Sequence, residues 1–209
     1  MKEIFYDWGG ANVWLFHAIN DIRFGWLDNV MLLGTGLADH ILFPLYLGLL
    51  ALLTLVVVNT PADPVQYRAQ VTRWVAVIAV FSLAYLLDGV LLGVLKPLLD
   101  FPRPPLALPQ GSVQVIGVAE YHNSLPSGHS SFAMLVTASL WPVLNRRWRV
   151  AGVCFVLWVG ISRMSLGAHF PADVIAGFLS SLAVVLLVYI AIHRLMSLIA
   201  AGMLHLRGM

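Results

Sequence analysis

The chain has 209 residues, 60% of them hydrophobic and 11% charged, with a mean hydropathy of +0.86, against roughly one-quarter charged residues in an ordinary soluble domain. So few charges cannot solvate the surface of a water-soluble protein of this length, which excludes a soluble nucleic-acid binder, a coiled coil and a disordered chain and leaves one membrane-embedded domain. The formal charge is only +2, and the single cysteine, Cys154 in an apolar run, excludes an intrachain disulfide and a cysteine metal cluster.

Residues 1–39 stand apart from the rest. Trp14, Leu15, Phe16, Ala18 and Ile19 alternate with Asn12, His17, Asn20 and Asp21 at helical spacing, the pattern of an interfacial amphipathic helix. Trp26 to Leu37 is apolar but short, and Asp28, Asn29 and Asp39 argue for a shallow or re-entrant segment, a sixth span being the alternative. Glu3 and Asp7 interrupt any basic leader region, so a cleaved signal peptide is not expected.

Five apolar runs follow, at 40–59, 74–95, 128–144, 150–166 and 174–199, near the roughly 20 residues a helix needs to cross ~30 Å of hydrocarbon. The third and fourth run to only 17 residues, so each is expected to continue into its polar flanks. The predicted fold is all-α, a polytopic bundle of five to six transmembrane helices preceded by the amphipathic segment. It forms one domain over 1–209, with the bundle at 40–199 and loops at 96–129 and 162–173 carrying the chemistry. Gly89 and Gly93 have the small-xxx-small spacing of close helix packing. Asp88, inside the second run, stands two turns before Lys96, and a structural pairing is expected for it above a catalytic role.

If each run crosses once, Arg68, Arg73, Arg146, Arg147, Arg149, Arg194 and Arg207 share one side, with Asp63 the one acid among them, and a basic bias of this kind marks the cytoplasmic face. The opposite, periplasmic face then carries three clusters foreign to lipid. Lys96 and Arg103 bracket a segment closed by Pro104; snorkelling explains one such cation more easily than two on the non-basic side. Pro126-Ser127-Gly128-His129 opens the third run, with Ser127 as helix cap and Gly128 allowing close approach to amides that favour an anion. An ordinary capped helix explains Pro-Ser-Gly, but not a histidine in a first turn, where the dipole disfavours imidazolium. Ser162-Arg163 is followed by His169 and Asp173, and a helix starting at Phe170-Pro171 lets the carboxylate face the imidazole and fix its tautomer. A capping aspartate beside an unrelated loop histidine is the bland alternative. Three cations, a helix N-terminus, two histidines and a carboxylate on one face suit a phosphoryl group. His122, beside Glu120, is set aside as a solvated loop histidine. No H-x-x-x-H or H-E-x-x-H occurs, and a pocket richer in cations than carboxylates repels a divalent ion, so neither metal nor cofactor is expected.

K-x6-R-P, P-S-G-H and S-R-x5-H-x3-D occur here in order at eleven specified positions over 96–173. In these motifs the chain closely resembles the type 2 phosphatidic acid phosphatase (PAP2) superfamily, and its small bacterial members in span number. The resemblance implies a metal-independent lipid phosphatase of the bacterial inner membrane with its site toward the periplasm. It also implies that His169 attacks phosphorus to form a phosphohistidine, Asp173 orients it, and His129 protonates the leaving oxygen. Lys96, Arg103, Ser127, Gly128 and Arg163 would bind the phosphate. Undecaprenyl diphosphate is the favoured substrate, with phosphatidylglycerol phosphate, phosphatidate, lipid A 1-phosphate and phosphotransfer to an acceptor lipid as alternatives.

Overall fold

The structure, a computed structural model, describes residues 6–58 and 63–207; Glu3 and the 59–62 link, which bear on the leader and loop readings, lie outside the described residues. Among the described residues the regular elements are all helical: α1 (Ala11–Asn20), α2 (Gly25–Leu37), α3 (Phe43–Val58), α4 (Pro64–Leu99), α5 (Pro104–Ala107), α6 (Gly128–Leu140), α7 (Arg146–Ser165) and α8 (Pro171–Arg207). Among the described residues three segments are long and apolar enough to cross a membrane, His40–Val58, Pro64–Ala107 and Pro171–Leu198.

α4 begins where the Asp63 side chain accepts the Val65 N–H at 3.0 Å with Pro64 in the first turn. Its 36 residues run about 54 Å, well beyond the hydrocarbon thickness. It ends at Asp100, whose left-handed backbone (φ 40°) returns its N–H to the Lys96 carbonyl and leaves Lys96 in the last turn. The third apolar run forms a shorter helix than expected. α6 stops at Leu140, and a turn through Trp141 and Pro142 leads to Asn145, which caps α7 by accepting the Trp148 N–H at 3.2 Å. α6 is the central helix, packed by α4, α7 and α8 and burying Phe132, Leu135 and Val136 together with Ser130, Ser131, Thr137 and Ser139. Protein rather than lipid surrounds it, so bilayer thickness does not set its length.

The core fills the space between α3, α4, α6 and α8 with Val77, Val80, Phe81, Ala84, Phe132, Leu135 and Val185. Phe43 stacks on Tyr85 at 3.7 Å between ring centroids, and Tyr46 meets Phe132 edge-on. Asp88 is buried in this bundle, and its pairing is with Ser131 rather than Lys96: the Ser131 hydroxyl donates to Asp88 Oδ2 at 2.6 Å, joining α4 to α6.

α1 is a helix, and two of its polar residues face inward together with Phe16: Asn12 and Asn20 are 1% and 0% exposed, whereas Trp14 is 70% exposed. The reason is hydrogen bonding. Asn12 Oδ1 accepts the Ala172 N–H at the start of α8, and Asn20 Nδ2 donates to the carbonyls of Gln114 and Ser165, satisfying turns that would otherwise be orphaned. Gly89 and Gly93 meet no neighbour, since a Cβ at either position would find nothing within 4 Å. A close approach occurs instead at Gly177, among other positions, where a Cβ would lie 2.5 Å from the Ser127 carbonyl oxygen and 3.1 Å from the Ser131 nitrogen. Gly177→Ala is therefore expected to destabilise the protein by about 1–3 kcal/mol through overpacking. A lowered melting temperature in detergent, together with reduced activity because α8 is pushed off the first turn of α6, checks this.

The chain alternates in direction through α4, α6, α7 and α8. The α4 and α7 C-termini and the α6 and α8 N-termini consequently meet at one end of the bundle. At the other end Arg73 donates to the Pro142 carbonyl and Arg149 Nε to the Trp141 carbonyl, so basic residues gather there as the loop pattern predicts.

Candidate active site

His169 lies in the 166–170 turn between α7 and α8. Gly167, at φ 75°, makes the turn possible; a Cβ there would sit 2.5 Å from the Gln114 carbonyl oxygen. The His169 N–H and the Ala168 N–H both return to the Arg163 carbonyl, tying the histidine to the end of α7. Asp173 is in the first turn of α8 and faces back, its Oδ2 3.4 Å from His169 Nδ1. The same oxygen accepts the Phe170 N–H at 2.8 Å and the Ser124 hydroxyl at 2.5 Å, so the carboxylate both caps the helix and faces the imidazole. Both residues are buried, at 1% and 0% exposure.

On the far side of the ring, His169 Nε2 is 3.4 Å from Arg103 Nη1. A guanidinium can only donate, so Nε2 carries the lone pair and Nδ1 the proton that points to Asp173. Complete burial, reinforced by Arg163, Arg103 and Lys96, pushes the His169 imidazole well below the usual histidine range. The ring therefore stays neutral, with its lone pair available, at pH values where an ordinary histidine is protonated. The acid limb of kcat/KM that belongs to His169 is expected below the ordinary value of about 6.5, and a pH–rate profile on the free enzyme checks it.

The three sequence cations converge here. Arg103 is held by its Nε on the His122 carbonyl at 2.9 Å and by its N–H on the Tyr121 carbonyl, and its guanidinium pairs with Glu120. Arg163 is 9% exposed; one arm donates to Thr35 Oγ1 at 2.6 Å, while its Nε is buried with no hydrogen-bond partner among the described residues. A Cβ at Gly128 would lie 3.8 Å from Lys96 Nζ, which puts the lysine against the α6 N-terminus. Ser127 faces inward: its N–H donates to the Asp173 carbonyl at 3.0 Å and its Oγ accepts from Ser130 Oγ at 3.0 Å. It joins the start of α6 to the start of α8, and first-turn amides of α6 are free to meet an anion. A cavity of about 200 Å³ is lined by His129, Arg163, Glu120, Thr35, Leu32 and Ala168, and Arg103 stands between its Glu120 and the His169 ring.

Sequence reasoning missed four neighbours. Tyr6 donates its hydroxyl to Asp173 Oδ1 at 2.9 Å; burial and the adjacent carboxylate push its pKa well above the usual phenol range, keeping it a protonated donor. Ser124 and Thr35 hold Asp173 and Arg163, and Glu120 pairs with Arg103. Ser124 stands close before Ser127 and Glu120 beside His122, but no local pattern marks Tyr6 or Thr35, which are distant in sequence from their partners. His122 contributes its backbone carbonyl, while its ring is exposed and lies 3.4 Å from Asp100 Oδ1. Among the described residues no cluster of three or more His, Cys, Asp or Glu side chains that could hold a metal ion occurs.

The crystal structure of Aquifex aeolicus LpxE superposes with a TM-score of 0.67 at 23% identity, covering 85% of this chain and 94% of that one. The first transmembrane PAP2-type phosphatidylglycerolphosphate phosphatase from Bacillus subtilis gives 0.66 at 24%, covering 89% and 86%. These likenesses establish the fold and, with the long apolar helices, an integral membrane protein. In sequence, a lipid A 1-phosphatase of Rhizobium johnstonii is 30% identical over 112 residues, 53% of this chain and 45% of the relative. One of Rhizobium etli is 44% identical over 54 residues, 26% of this chain and 23% of the relative. The chain thus spans less than half the length of either rhizobial protein. The superfamily match itself covers residues 76–197, more than half of the chain and all three motifs, and the chain accordingly belongs to the PAP2 superfamily.

Proposed function

We propose that the protein is a metal-independent lipid phosphatase that works through a phosphohistidine on His169. The observation that carries this reading is the buried His169–Asp173 pair, whose Nε2 faces the Arg103 guanidinium at 3.4 Å in a cluster of three cations. In the first step His169 Nε2 forms a bond to phosphorus as the bond to the leaving oxygen breaks, and His129 gives that oxygen its proton. In the second, water attacks phosphorus, His129 takes the water's proton, and the N–P bond breaks to release inorganic phosphate. Lys96, Arg103, Arg163 and the amides at Gly128 and His129 neutralise the phosphoryl oxygens, with Ser127 holding that helix start in place; one of those oxygens replaces the Glu120 carboxylate on Arg103.

The whole chain acts as one membrane unit in this reading. α3, α4, α6, α7 and α8 make five crossings and α2 a re-entrant flank. The arginine-rich end lies in the cytoplasm and the site faces the periplasm, as the positive-inside bias supports. For the substrate, the names of the rhizobial relatives and of the Bacillus structure support a lipid phosphomonoester over the undecaprenyl diphosphate favoured from the motifs. The test is phosphate release from lipid A 1-phosphate, phosphatidylglycerol phosphate, phosphatidate and undecaprenyl diphosphate in detergent with EDTA present. Release from a monoester, unaffected by EDTA and absent in His169→Ala, is the expected result. No release from any of the four lipids, or loss of activity in EDTA, overturns it. A newly phosphorylated lipid in place of free phosphate would identify a transferase.

A further inference from the structure

We propose that Tyr6 is a positioning residue for the His169–Asp173 pair, so that the N-terminal segment forms part of the active site. The inference rests on the phosphohistidine reading and adds a component that lies 90 residues before the first motif. Asp173 Oδ2 is crowded by Ser124, the Phe170 amide and His169, whereas the other oxygen is met by the Tyr6 hydroxyl at 2.9 Å. A carboxylate gripped on one oxygen can still rotate about its bond to Cβ. Gripped on both, it keeps Oδ2 aimed at Nδ1 and so keeps the proton there and the lone pair on Nε2.

The phenol is itself fixed from two sides. Its ring packs on Phe101 at 4.4 Å between centroids and edge-on to Phe170 at 6.0 Å, and Phe170 is the residue next to His169. Behind it, Asn12 accepts the Ala172 amide, one residue from Asp173. The N-terminal segment thus contacts the catalytic turn at Phe170, Ala172 and Asp173, which is more than membrane anchoring requires. The competing explanation is that Tyr6 merely fills space and finds a partner for its hydroxyl.

Tyr6→Phe separates the two, since it keeps the ring and removes the donor. kcat is expected to fall roughly 10- to 100-fold, the range for a hydrogen bond to a charged group, with KM and the affinity for orthovanadate unchanged. A second readout does not need turnover. In protein labelled with 15N-histidine, the His169 Nδ1–H resonance, assigned by its loss in His169→Ala, is expected to move in Tyr6→Phe. In Phe101→Leu, which disturbs packing but leaves the hydroxyl, it is expected to stay. An unmoved resonance in Tyr6→Phe, or a moved one with unchanged kcat, overturns the proposal. A moved resonance in a protein whose wild type hydrolyses none of the lipids leaves the link between Tyr6 and the His–Asp pair standing and removes the phosphatase reading instead.

Discussion

His169→Ala is expected to abolish phosphate release, by at least roughly 10⁴-fold, while leaving the protein able to bind orthovanadate or inorganic phosphate. The two effects separate because the residues that bind phosphate are not those that attack it. Arg103 keeps its holds on the His122 and Tyr121 carbonyls and Arg163 its bond to Thr35, so the cationic wall survives the truncation. What disappears is the one lone pair that burial and surrounding cations hold available at Nε2. Single-turnover assays with labelled lipid give the rate, and competition with phosphate gives the affinity. A variant that still accumulates an acid-labile phosphoprotein would transfer the nucleophile to another side chain.

His129→Ala is expected to have a different signature, a loss that depends on the leaving group. General-acid catalysis contributes about 10²–10⁴-fold, and the full loss is expected with an alkyl or sugar phosphomonoester, whose departing alkoxide needs a proton. A diphosphate expels a phosphate that leaves without one, so the loss there is smaller. His129 stands in the wall of the 200 Å³ cavity beside Arg163 and Ala168, where a departing group would lie. Ratios of kcat/KM for the two substrate types, compared between wild type and variant, measure the effect; equal losses would contradict the acid role.

The site was legible where its chemistry is local in sequence. Lys96, Arg103, His129, Arg163, His169 and Asp173 fall in three short motifs, and a helical chain that reverses direction at each turn brings those motifs to one end. The i, i+4 relation of His169 and Asp173 also survived, because Pro171 starts the helix at the expected break. Hydropathy, by contrast, misjudged whatever protein rather than lipid surrounds. It overextended α6, which is sheathed by neighbours, and it gave no sign that Asn12 and Asn20 of α1 face inward to satisfy backbone groups. Tyr6 and Thr35 escaped for a further reason: each meets its partner, Asp173 or Arg163, across more than a hundred residues of chain, and a single sequence carries no trace of such a pairing.

The 13 residues of α2 reach only about 20 Å along their axis, short of the ~30 Å apolar layer. Yet Leu32 and Thr35 on this helix form one wall of the cavity. In the proposed re-entrant arrangement α2 ends inside that layer, so on this flank no protein wall separates the cavity from the bilayer across its full thickness. A phosphorylated lipid, the proposed substrate, would then reach Arg163 from the side, with its chains still among their neighbours.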